Sequence, residues 1–121
     1  MLVDTNIIIA CLNAEPKAVY ALSEWKQMGR ALLISSLTIA ETLAFPGLTE
    51  EDSAKAKAFL ANFISIPFDD AIAEIAARLR RNYALAIPDA GIAATAMIRN
   101  VSLVTRDRQF QKIKEITIIE V

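Results

Sequence analysis

Four acidic side chains stand where short apolar segments of the sequence give way to polar residues, and carboxylates in such places can bind a metal ion. Asp4 follows the apolar pair Leu2-Val3 and precedes an apolar run that begins at Ile7. The other three acids are Glu41, Asp89 and Asp107. Burying a lone carboxylate is costly, so an acid in apolar surroundings needs a cap, a counter-charge or a cation.

Each acid also has an ordinary structural explanation, and the local sequence leaves the choice open. Asp4 and Asp107 suit the N-cap of a helix, a position that favours Asp. Glu41 ends the segment TIAE, residues 38–41, which has the form of a capping box. Asp89 follows a proline in the first turn of a predicted helix, where an acid interacts favourably with the helix dipole.

The elements that must position these acids alternate between strand and helix. Short apolar runs predict strands at residues 2–3, 31–34, 64–66, 103–104 and 116–121. Periodic apolar residues and helix-start signals predict helices at residues 7–12, 16–29, about 37–45, from 49 onward, about 70–83, from 88 onward and 107–113. Such alternation predicts an α/β protein with a parallel sheet.

In an open parallel sheet, the carboxyl ends of the strands and the helix N-termini that follow them form one edge, where ligands bind. All four acids map to that edge. Carboxylates that meet there repel one another and need a cation to stay ionised. The chain has no histidine, and carboxylate oxygens select hard ions such as Mg²⁺ or Mn²⁺. Such an ion suits phosphodiester hydrolysis, whereas histidine-based triads are excluded.

Composition narrows the class of protein. A chain of 121 residues fits one domain, residues 1–121. Its hydrophobic fraction of 55% and mean hydropathy of +0.38 are high, which suits a surface that faces a partner. No apolar run reaches the roughly 18 residues of a membrane helix. The start has no basic signal-peptide region, and Cys11 has no second cysteine to pair with, so we expect a cytoplasmic protein without membrane contact.

The charges are unevenly distributed along the chain, although the net charge is only −1. Residues 1–77 contain five basic and ten acidic side chains. Residues 78–121 contain eight basic and four acidic side chains. The second segment therefore predicts a local positive face despite the acidic total.

Four segments, VDTNIII, ISSLTIAETL, IPDAGIAATAM and LVTRDRQFQKI, resemble PIN-domain ribonucleases, and most closely the VapC-type toxins of toxin–antitoxin pairs. The similarity covers essentially the whole chain, and PDAGIAATA followed by LVTRD is its most specific part. It implies a PIN-like three-layer α/β/α fold with a central parallel sheet of four to five short strands. It also implies that Asp4, Glu41, Asp89 and Asp107 are the metal-binding and catalytic acids.

The resemblance further implies supporting roles at the site for Thr5, Asn6 and Thr105. It implies a homodimer and a cognate antitoxin whose C-terminal segment covers the active groove. Gly91 is a departure, because a larger apolar residue is common at that position, and it predicts a close approach between its helix and a neighbour.

The leading hypothesis is a Mg²⁺- or Mn²⁺-dependent endoribonuclease that binds RNA. Candidate phosphate contacts, each of which could equally lie on a solvated helix face, are Arg78, Arg80, Arg81, Arg106 and Arg108. A metal-dependent phosphatase or phosphoryl-transfer domain is a second class, although Asn6 stands where the usual nucleophile motif has another Asp. A non-catalytic dimeric module that binds a protein partner is the third.

Overall fold

Five short strands, all parallel, form the central sheet of the structure, a computed structural model that describes residues 1–121. The strands are β1 (Leu2–Val3), β2 (Leu33–Ser35), β3 (Ile64–Ile66), β4 (Leu103–Val104) and β5 (Ile118–Ile119). Their order in the sheet is β3-β2-β1-β4-β5. The predicted α/β class and parallel sheet are therefore confirmed.

Six α-helices and one 3-10 helix connect the strands. They are α1 (Thr5–Leu12), α2 (Pro16–Gln27), α3 (Ser36–Leu43), α4 (Glu50–Leu60), α5 (Asp70–Tyr83), α6 (Ile87–Arg99) and the 3-10 helix Arg108–Lys112. No helix is long and apolar enough to cross a membrane.

Alternation of side chains along the two central strands separates the core into two layers. Leu2 and Leu103 belong to the apolar cluster that contains α5 and α6. Val3 and Val104, the next residue of each strand, belong to the cluster that contains α1 and α2. Because successive side chains of a strand point to opposite faces, helices cover both faces of the sheet, as the predicted three-layer arrangement requires.

The sheet order makes the end of β1 a switch point. From β1 the chain passes outward through β2 to β3, and then returns to the other side of β1 with β4 and β5. Ligand sites of open parallel sheets form where the strand order reverses in this way. Asp4 directly follows β1 and therefore lies at that point.

The predicted strand ends were wrong by a few residues, and the partner strands explain why. β2 begins at Leu33 rather than residue 31, because its pairing with β1 begins at Leu2. β5 covers two residues rather than the expected six, and both of them pair with the two residues of β4. The ends of β2 and β5 thus depend on which residues the neighbouring strands offer for pairing.

Gly91 is buried inside α6, two residues after Asp89. A Cβ atom there would collide with the side chain of Leu37 at the start of α3 and with the ring of Phe68. The expected close approach is therefore confirmed, and it brings the first turn of α6 up to α3.

Candidate active site

Asp4 is the most buried of the four acids, with 5% of its surface exposed. Its Oδ1 accepts a 2.8 Å hydrogen bond from the Thr5 backbone N–H, and its Oδ2 accepts a 2.7 Å bond from the Thr105 hydroxyl. The helix-cap interpretation is therefore confirmed, because Asp4 is the N-cap of α1. A cap does not exclude a second role for this carboxylate.

Burial raises the pKa of Asp4 to about 6. The hydrogen bonds from Thr105 and Thr5 oppose this shift, whereas the charges of Asp89 and Glu41 add to it. The carboxylate thus lies in a poorly solvated position within reach of two other acids, where its charged form is disfavoured.

Thr105 connects the first acid to the last. Its fully buried hydroxyl donates to Asp4 and accepts a 3.0 Å bond from the backbone N–H of Asp107. The Nδ2 atom of Asn6 lies 3.4 Å from the same hydroxyl, and the Oδ1 atom of Asn6 is buried without a partner. One threonine therefore holds together segments that are about a hundred positions apart.

Glu41 lies on α3 and its carboxylate reaches the start of α1. The Thr5 hydroxyl lies 2.8 Å from Glu41 Oε1 and 3.0 Å from Thr38 Oγ1. A hydroxyl has one proton, and donation to a charged acceptor is the stronger bond, so Thr5 donates to Glu41 and Thr38 supports Thr5. The capping-box interpretation of residues 38–41 is wrong, because α3 begins at Ser36 with Ser35 as its cap.

Asp89 and Asp107 are joined by one amide group. The Nε2 atom of Gln109 donates to Asp89 Oδ2 at 3.0 Å and to Asp107 Oδ2 at 2.6 Å. Asp107 also caps the 3-10 helix by accepting a bond from the backbone of Gln109, as its sequence position predicted. Asp89 lies in the first turn of α6, and burial followed by the charges of Asp107 and Glu41 raises its pKa.

None of the four acids is neutralised by a basic side chain. The two ion pairs of the structure, Lys55 with Glu51 and Arg106 with Glu15, lie outside the site. The donors around the carboxylates are hydroxyls, amides and backbone N–H groups, which carry no full charge. The edge therefore holds four acids with no compensating cation from the protein.

The donor set suits a hard divalent ion, although the acids do not form a closed ligand set. No three His, Cys, Asp or Glu side chains are arranged to hold one metal ion. The carboxylates are turned toward their neutral donors instead. Their oxygens, together with the unpartnered Oδ1 of Asn6, are the ligand type that Mg²⁺ and Mn²⁺ prefer.

The arginines proposed to contact phosphate differ in their surroundings. Arg106 forms a bidentate pair with Glu15 and also donates to the carbonyl of Val121. Arg80 donates to the carbonyl of Leu85 at 2.8 Å. The three that have no acidic or carbonyl partner, all exposed, are Arg78, Arg81 and Arg108. Arg106 and Arg80 therefore make structural contacts within the chain, and we leave both out of the proposed RNA contacts.

Sequence reasoning missed two residues that touch the acids or their supports, Gln109 and Thr38. Gln109 follows Asp107 by two positions at the start of a short helix, which was the available clue. Thr38 was noticed as part of a capping box, but its three-residue spacing from Glu41 in fact places both side chains on the same face of α3.

Comparison with known proteins gives one family and a consistent set of structural neighbours. The family model of the PIN domain matches residues 1–116. A toxin–antitoxin complex from Klebsiella pneumoniae contains a chain with 30% identity, a TM-score of 0.84, and coverage of 98% of this chain and 94% of that one.

DNA-bound VapBC from Salmonella typhimurium contains a chain with 25% identity and a TM-score of 0.84, covering 98% of this chain and 96% of that one. FitAcB from Neisseria gonorrhoeae contains one with 26% identity and a TM-score of 0.76, covering 98% and 95%. A comparison with curated protein sequences gives no significant match. The resemblance to VapC-type PIN domains is therefore confirmed.

Proposed function

This chain belongs to the PIN-domain family, and from that premise we propose that it is a Mg²⁺- or Mn²⁺-dependent endoribonuclease, the toxin of a toxin–antitoxin pair. PIN domains of VapC-type toxins are nucleases. One observation supports the metal-dependent activity most directly. Four carboxylates lie at one edge of the sheet without a basic partner, and Asp4 among them is only 5% exposed. We further propose that residues 1–121 act as one domain, in the cytoplasm.

We propose that Asp4, Glu41, Asp89 and Asp107 hold the ion. When bound, a divalent ion supplies Lewis-acid stabilisation of the charge that develops on a phosphoryl oxygen. Burial and, after it, the charges of neighbouring acids raise the pKa values of Asp4 and Asp89, and a bound cation would offset both effects. The unfavourable free energy of burying the Asp4 charge is then offset by its interaction with the cation.

The chain's own residues orient these carboxylates and move a proton. Thr5 and Thr105 hold Asp4 by both of its oxygens. In the structure, Gln109 donates to Oδ2 of Asp89, and no hydrogen bond is made to Oδ1. We assign to this free Asp89 Oδ1 the acceptance of a proton from the attacking water.

Cleavage of single-stranded RNA by the wild type and by Asp4→Asn, with Mg²⁺ or Mn²⁺ and then with excess EDTA, tests this function. We expect cleavage by the wild type, and at least about a hundredfold less by the variant and with EDTA. Asp69→Asn is the matched control, because Asp69 is also a helix N-cap but lies at the start of α5. Equal cleavage by wild type and Asp4→Asn would refute the proposal.

RNA contacts are assigned to Arg78, Arg81 and Arg108, whose guanidinium groups have neither an acidic nor a carbonyl partner. Each phosphate contact contributes about one unit to the slope of log affinity against log salt. We expect replacement of any of the three by Gln to reduce that slope in fluorescence anisotropy with labelled RNA, measured in the inactive Asp4→Asn background. Arg30→Gln, in the acidic first segment of the chain, is the control.

A cognate antitoxin and a homodimer complete the proposal. Structural neighbours of this chain are components of toxin–antitoxin complexes, and large apolar side chains remain exposed on α2 and just after the ends of α2 and α3. They are Val19, Tyr20, Met28 and Phe45. Light scattering of the purified chain, alone and co-expressed with the product of a neighbouring small reading frame, measures both associations. A monomer that forms no complex would contradict this part.

A further inference from the structure

Gln109 has a unique place in the site, because it is the only side chain that donates hydrogen bonds to two of the four carboxylates. Its Nε2 atom lies 3.0 Å from Asp89 Oδ2 and 2.6 Å from Asp107 Oδ2. These two acids come from α6 and from the loop after β4, so the amide joins two separate elements of the fold.

The amide group does part of what a cation would do there. Its two hydrogens carry partial positive charge and point at one oxygen of each carboxylate, and hydrogen bonds to charged acceptors are stronger than neutral ones. It cannot cancel the charge, however, because it is neutral. The charge of Asp107 accordingly still contributes to the raised pKa of Asp89.

An ion held by Asp89 and Asp107 would compete with the amide. If these two residues hold the ion, they would offer it the same carboxylate oxygens that now accept the hydrogen bonds of Gln109. The Gln109 nitrogen already lies between these oxygens, and its hydrogens repel a cation. The two cannot occupy that position together, and the four acids do not form a closed ligand set while the amide is there.

We propose that Gln109 is a metal-responsive positioning residue that holds Asp89 and Asp107 in the metal-free protein and releases both when the divalent ion binds. The inference rests on the proposed metal-dependent function. It adds that the ion does not enter a preformed site. The ion instead replaces the two hydrogen bonds that Gln109 donates to Asp89 and Asp107. Gln109 thus stabilises the empty site and lowers its affinity for the ion.

Gln109→Met tests this inference, since methionine has a similar length and no hydrogen-bond donor. We expect the metal-free variant to unfold at a lower temperature than the wild type, and the difference to disappear at saturating Mg²⁺. By calorimetry, Mn²⁺ should bind the variant about tenfold more tightly, because no charged hydrogen bond has to be broken.

Gln111→Met is the matched control. Gln111 is the same residue type in the same 3-10 helix, and its amide reaches only Glu120, at 3.0 Å on the surface. We expect the Mn²⁺ affinity of Gln111→Met to equal that of the wild type. A change found only in Gln109→Met is then caused by loss of the hydrogen bonds to Asp89 and Asp107.

A direct readout is the side-chain amide signal of Gln109 in a ¹H–¹⁵N correlation spectrum, assigned by its loss in Gln109→Met. Addition of Mg²⁺ should move it to the position of a solvent-exposed glutamine. An unmoved signal, or weaker Mn²⁺ binding by the variant, would overturn the inference while leaving the proposed function intact. Absence of metal binding by the wild type would instead overturn the proposed function, and the inference with it.

Discussion

The two halves of the acidic edge hold their carboxylates in different ways. Asp4 is buried and is fixed by a backbone N–H and by the buried hydroxyl of Thr105. Asp89 and Asp107 are partly exposed and are fixed by the long side chain of Gln109. One half is therefore built from the most rigid donors a protein has, and the other from one of the most flexible.

The difference has a thermodynamic meaning. Threonine is stiff at its first side-chain dihedral, whereas ordering a glutamine side chain costs about 1.5–2 kcal/mol. The Asp4 half is consequently preorganised without an ion, and its cost appears as an unfavourable pKa shift. The Gln109 half is adjustable, and its arrangement depends on whether an ion is present. The following predictions test the acids that threonines support, Asp4 and Glu41, in order of decreasing effect.

The largest effect is the pH dependence that Asp4 gives to stability. Its pKa rises from 3.8 to about 6 on folding, so between these values the folded state holds a proton that the unfolded state has lost. Stability from this group is complete below pH 4 and is lost as the pH rises through 6, by about 3 kcal/mol.

Asp4→Asn removes that titration. In urea unfolding with EDTA present, we expect its free energy of unfolding relative to the wild type to increase by about 3 kcal/mol between pH 4 and pH 7. Asp69→Asn should show no comparable trend, because its carboxylate caps α5 at an exposed position. A constant difference between Asp4→Asn and wild type across this range would mean that Asp4 is not the costly group.

Thr105→Val should give the next largest effect. Valine has the same shape but cannot donate to Asp4 or accept from the Asp107 backbone, which removes a charge-assisted hydrogen bond worth about 2 kcal/mol. We expect that loss of stability by urea unfolding at pH 7, and a further rise in the pKa of Asp4. Thr95→Val is the control, since its buried hydroxyl bonds only to the Gly91 carbonyl; an equal loss in both variants would contradict a special role for Thr105.

Thr38→Val should give the smallest effect, about 1 kcal/mol of stability, because it removes one neutral hydrogen bond to Thr5. RNA cleavage should decrease moderately if Thr5 then fails to orient Glu41. Thr42→Val is a suitable comparison on the same helix, because the buried Thr42 hydroxyl has no hydrogen-bond partner. Identical cleavage by wild type and Thr38→Val would show that Glu41 needs no such support.

The order and type of the elements could be predicted because each element carries its own local cause. Leu2-Val3 and Leu103-Val104 are short apolar runs, and Thr49 caps α4, where the sequence predicted a helix start. The ends of β2 and β5 could not be predicted, since they depend on how many residues the neighbouring strand offers.

The site likewise has one part that local sequence predicts and one part that it does not. The placement of the four acids followed from sheet topology, which needs only the order of strands and helices. The hydrogen bonds that orient them join residues far apart in sequence, such as Thr5 with Thr38 and Gln109 with Asp89. The sequence around one residue does not identify a hydrogen-bond partner that is distant in the chain. For the same reason, the pairing of Arg106 with Glu15 was not predicted.

The hydrogen bond between Thr105 and Asp4, which spans 101 positions of the chain, also bears on when the site forms during synthesis. Asp4 leaves the ribosome about a hundred residues before β4 and the loop that carries Thr105 and Asp107. Until then the first carboxylate lacks its hydroxyl partner and β1 lacks one of its two neighbours. A nascent or prematurely terminated chain therefore has no complete site, so under the proposed function it would be inert until the segment after β4 has been made.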